Sequence, residues 1–133
     1  MSDVIDTRLA TIALFGPNLL EVRFKTGIKI DGAGLHEVLQ QREQLADKGP
    51  FLVLGILPAD LDFDINVMTE DHYAGRKVLE HTLAVAWAAS TLMNERMASL
   101  YLAYFPQPFP VQVFMEEEEA RAWLLGLPVP AAP

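Results

Sequence analysis

The chain has 133 residues, 51 % of them apolar, with eighteen acidic side chains against ten basic for a formal charge of −8, and it contains no cysteine. That length fits one domain, burying roughly two-thirds of the surface its unfolded form would expose, and the missing cysteines exclude a disulfide framework, a thiolate metal site and a cysteine nucleophile. A negative field with scattered cations repels phosphate backbones, so nucleic acid is not expected as a partner; the opening MSDVIDTR lacks the pattern of a signal peptide, and the uncharged run 83–93 is far short of the ~20 residues of a spanning helix, so a cytoplasmic protein without a transmembrane segment is expected.

Residues 7–15 and 19–25 read as two short strands, with Gly16, Pro17 and Asn18 supplying turn chemistry between them, which predicts a β-hairpin. Over 35–45 the spacing of Leu35, Val38, Leu39, Arg42 and Leu45 is helical, with Asp31 as cap and Lys48, Gly49 and Pro50 as stop. The preceding Gly32, Ala33 and Gly34 lack a dinucleotide or P-loop fingerprint and read as a flexible loop. FLVLGIL, 51–57, is a continuous apolar run too short for a helix, the mark of a strand buried on both faces, and 83–89 reads the same way. Between them a helix is expected over 69–81. A further helix over 92–105 follows, capped by Ser90 or Thr91, then a proline break, a short strand at VQVF (111–114) and a last helix through ARAWLL. The order ββαβαβαβα predicts one α/β domain over 1–127, a mixed central sheet with helices packed against it, and a Pro/Ala tail over 128–133.

Two acidic runs invite a chemical reading. Glu116 to Glu119 stand where a helix starts, and its unpaired amides and partial positive charge favour acids in the first turn. Four successive helical positions point around most of the circumference and cannot converge on one ion. Glu117 is expected to pair with Arg121, and Ala120, Trp123, Leu124 and Leu127 to face the core. Asp60, Asp62 and Asp64 have the spacing that opens a calcium loop. Ile65 stands where that loop needs glycine, so the stretch reads instead as extended chain with one wet face. His36, His72 and His81 are too far apart for a paired metal site. No metal, cofactor or catalytic set follows from spacing.

The strand order, the segment ASLYLAYF and above all the pattern P-x-P-V-x-V-F-x-x-E-E-E-A-x-x-W-L over 108–124 resemble the SpoIIAA-like STAS domains, the fold of the anti-sigma-factor antagonists, and more narrowly a group of uncharacterised bacterial STAS-like proteins. The resemblance spans most of 9–127. It implies a SpoIIAA-like fold and a non-enzymatic protein-interaction or regulatory module. In the antagonists a serine at the start of the helix after the second buried strand is phosphorylated by a partner kinase, and Thr69 is the nearest positional match. Thr69 followed by two acids is also an ordinary helix cap. A distant similarity of STAS domains to Sec14-type lipid carriers implies the alternative, a carrier of a small hydrophobic ligand or lipid.

The helix over 93–105 carries more apolar surface than one buried face needs. Its excess at Tyr101, Leu102, Tyr104 and Phe105 leads to the expectation of an interface there, most simply a homodimer, with a further protein partner as an alternative.

Overall fold

The computed structural model describes residues 4–128, so the expected tail lies, but for Pro128, outside the described residues. The chain begins with β1 (Val4–Asp6), an edge strand of three residues that is too short to declare itself by alternation. It pairs antiparallel with β2 (Ala10–Phe15), which pairs antiparallel with β3 (Leu19–Phe24) in the register Ala10↔Phe24 to Phe15↔Leu19. Gly16 in the turn has φ +61°, a left-handed backbone that glycine adopts without steric cost.

After the two-residue β4 (Lys29–Ile30), Asp31 caps α1 (Gly32–Gln44), its carboxylate accepting from the Gly34 amide at 2.8 Å. The glycines expected as a flexible loop are therefore the first turn of this helix. Gly34 is there because a Cβ at that position would overlap the Leu9 side chain, so its absence sets how closely α1 approaches the hairpin. β5 (Phe51–Ile56) is buried at every residue, as its unbroken apolar run predicts, and β7 (Thr82–Ala88) lies beside it in parallel. Between these two strands β6 (Asp62–Phe63) pairs with β4 in a separate two-stranded sheet. α2 (Leu92–Tyr104) follows, capped by Thr91, whose hydroxyl accepts from the Asn94 amide. β8 (Val111–Phe114) and α3 (Glu117–Leu125) complete the fold.

The helix expected over 69–81 does not form. Two 3-10 turns, Ile65–Thr69 and Lys77–His81, stand in its place with irregular chain between them. Local competition explains this: Thr69 Oγ1 donates back to the Asn66 carbonyl, Asp71 Oδ1 accepts from the Tyr73 amide, and Gly75 has φ +71°. The extended reading of 60–66 also shrinks, to Asp62–Phe63 alone.

The main sheet has six strands in the order β1-β2-β3-β5-β7-β8, antiparallel at the hairpin end and parallel from β3 onward. Its mixed character and its packed helices are as expected for one α/β domain. Alternation divides its side chains between two cores. Leu52, Leu54, Ile56 and the alanines 84, 86 and 88 meet Ala120 and Leu124 of α3, and those small residues let α3 lie close over β7. On the other face Leu20, Val22, Val53 and Val85 pack with Val38 of α1 and with Phe109. No helix among the described residues is long and apolar enough to cross a membrane.

Candidate functional site

The second face is not filled. A cavity of about 150 Å³ lies between the sheet, the inner stripe of α1, the irregular chain after β6, and α2. Its floor exists because Gly55 and Trp87 are register partners on β5 and β7. A Cβ at Gly55 would overlap the Trp87 ring, so glycine there lets the indole lie across β5 and leaves room above it. Leu35, Val38, Leu39 and Arg42 of α1 form one wall; Met97, Ala98, Tyr101 and Leu102 of α2 form another. Phe63, Val67, Met68, His72 and Tyr73 roof it.

The roof is held by few, specific bonds. Tyr101 Oη accepts from the His72 amide at 2.9 Å and donates to the Glu70 carbonyl at 3.0 Å, while its ring stacks on that of His72. Burial pushes the Tyr101 phenol up to about 12, so it keeps its proton and stays a donor at neutral pH. Gln107 donates to Asp71 Oδ1, and His72 Nε2 lies 2.9 Å from the Val67 carbonyl. At the far end Asn94, buried, donates to the carbonyls of Pro58 and Ala89 and ties α2 to the ends of β5 and β7. Ser90 beside it has φ +74° and donates to the Leu57 carbonyl. These polar groups are engaged in structure.

The residues singled out by sequence are placed as follows. Thr69 is exposed at the end of a 3-10 turn, next to Met68 of the roof, and it caps no helix. Tyr101 and Leu102 line the cavity, Phe105 packs on the Tyr101 ring at 5.1 Å, and Tyr104 is 69 % exposed. Among the glutamates, Glu117 pairs with Arg121 as expected and also with Arg23 of β3. Both arginines reach Glu21 as well, so four charges tie the start of α3 to the sheet. Hydrogen bonds from Arg121 and then Arg23 hold the Glu117 carboxyl below its usual range. Asp60, Asp62 and Asp64 do not converge: they accept from the amides of Gly27, Phe63 and Asn66 respectively. Among the described residues no group of three or more His, Asp or Glu is placed to hold a metal.

Sequence reasoning did not find the cavity or the burial of Arg42, which is 5 % exposed. The signal was present as a cation inside the apolar stripe of α1. Comparison with the curated proteins and with the solved structures returns no match. A family model covers the chain from the hairpin turn to the residues just after α3. The chain belongs to the DUF7793 family, a domain of unknown function, whose model matches residues 15–127.

Proposed function

We propose that this domain is a non-enzymatic carrier or sensor of a small hydrophobic molecule, held in the cavity between the sheet and α2. The observation that carries this reading is the cavity itself. An apolar, partly open pocket of about 150 Å³ is large enough to take a benzene-sized guest. The polar groups at its margin serve to hold the roof and the strand ends, which supports binding rather than catalysis. Native mass spectrometry of gently purified protein tests the reading for a retained small molecule. Toluene provides a second test: it should raise the melting temperature and shift the Trp87 indole resonance. No retained molecule and no response to toluene would sink the idea.

A second reading is a cytoplasmic STAS-like regulatory module that self-associates and takes protein partners. Two observations favour it. The strands β3, β5, β7 and β8 run parallel in chain order within a mixed sheet flanked by helices, an architecture this reading requires. Met93, Leu100 and Tyr104 form an exposed apolar stripe along α2. In this reading Thr69, exposed beside the roof, is the phosphoacceptor, and a partner kinase acting on purified protein would test it by phosphopeptide mapping.

A further inference from the structure

Arg42 places a charge in the wall of an otherwise apolar cavity. It sits in the last turn of α1, in the stripe of Leu35, Val38 and Leu39, and is 5 % exposed. A guanidinium keeps its charge in a protein interior, and burying it is costly unless an opposite charge or a full set of acceptors compensates. Its partners fall short of that. Nη2 donates to Thr82 Oγ1 at 2.9 Å, the Tyr73 ring lies 5.9 Å from the guanidinium carbon, and the Nε–H is buried with no acceptor. The C-terminal end of α1 offsets part of the charge through its dipole. No carboxylate among the described residues pairs with it. The adjacent Glu43 is committed to Arg76 at 2.6 Å and to the Val78 amide. Arg8, Arg23, Arg76 and Arg121, by contrast, each meet at least one carboxylate.

From this arrangement we infer that the cavity binds a small apolar monocarboxylate, its hydrocarbon part against the apolar lining and its carboxylate paired with the Arg42 guanidinium. The inference rests on the reading of the cavity as a ligand site and adds the ligand's chemical class. A single ring or a short chain fits a space of about 150 Å³. The carboxylate supplies the opposite charge that no side chain among the described residues gives Arg42, and a planar guanidinium suits a carboxylate better than it suits a neutral amide oxygen.

The experiment compares each acid with its uncharged isostere, benzoate against benzamide and hexanoate against hexanamide, by NMR titration of the full chain with the Trp87 indole N–H as probe. Each acid should bind about tenfold or more tightly than its amide, the worth of a charge-assisted hydrogen bond. Arg42→Met should erase that preference while leaving amide binding in place. If Arg42→Met does not fold, Arg42→Lys replaces it: the preference should shrink, because lysine keeps the charge and loses the planar fork that meets a carboxylate with paired bonds. Equal affinity for acid and amide in the wild type overturns the inference, as does a preference that survives either substitution unchanged. If none of the four binds while toluene does, the monocarboxylate inference fails alone; if toluene also fails, the cavity reading falls with it.

Discussion

Gly55 and Trp87 show how one missing side chain creates a space for another molecule. On the opposite face the same strands carry Leu54, Ile56 and alanines in a filled core, so the void depends on local residue choice and not on the sheet. Gly55→Val should displace the indole into the cavity, with a stability cost of ~1–3 kcal/mol from overpacking and a loss of the toluene response. Thermal melts and the Trp87 resonance would check both parts. Tyr101 is the second residue on which the cavity depends, because its hydroxyl bonds two backbone groups of the roof. Tyr101→Phe leaves those groups without their partner and should cost about 1–2 kcal/mol. Amide exchange at His72 should quicken by a larger factor than exchange in β5, since local opening of the roof does not require unfolding of the sheet.

Among the elements, α3 is set by an apolar stripe below and a charge cluster at its start. Glu117 lies a third exposed between Arg23 and Arg121, so solvent screens the pairs, and Glu117→Gln should lower stability by only about 0.5–1 kcal/mol. The pH dependence has a definite sign. The folded carboxyl titrates below its ordinary 4.5, so its contribution is full above that value and is lost as pH falls through the lower folded value. The difference in melting temperature between wild type and Glu117→Gln should therefore be constant near neutral pH and shrink below 4.5. A difference that grew on acidification would contradict the pairing. The chain between β6 and β7 is the opposite kind of element. It has little regular structure beyond two 3-10 turns, and Tyr101, Gln107 and Glu43, all distant in sequence, help to hold it.

For the whole molecule, the decisive contrast is between a filled core under α3 and a hollow one under α1 and α2. The outer face of α2 adds a second feature, since Met93 and Tyr104 are each 69 % exposed on a chain whose charge of −8 otherwise favours dispersal. A two-fold contact through this stripe would be expected to bury ~1,200–2,000 Å² in total. Tyr104→Glu is the clean probe, because Leu102 lines the cavity and its substitution would confound binding with association. Sedimentation equilibrium should show a wild-type dimer that Tyr104→Glu dissociates. A wild type that stays monomeric at high concentration removes the dimer from the second reading.

The elements legible in the sequence are those set by contacts between near neighbours. The hairpin turn at Gly16, the Asp31 and Thr91 caps, the two unbroken apolar strands and the Glu117–Arg121 pair all depend on residues a few positions apart, so period and spacing reveal them. The helix expected over 69–81 failed because side-chain bonds to its own backbone, a left-handed Gly75 and the Tyr101 hydroxyl outweigh its helical propensity. Tyr101 lies about thirty residues further along the chain, at a place no local window includes. The cavity was hidden for the same reason, since its floor, walls and roof come from β5 and β7, α1 and α2, and the 3-10 segment. Arg42 was visible as a cation on an apolar stripe. Only the tertiary structure shows that its neighbour Glu43 turns away to Arg76, leaving the buried guanidinium with a hydroxyl, an aromatic ring and a donor that has no acceptor.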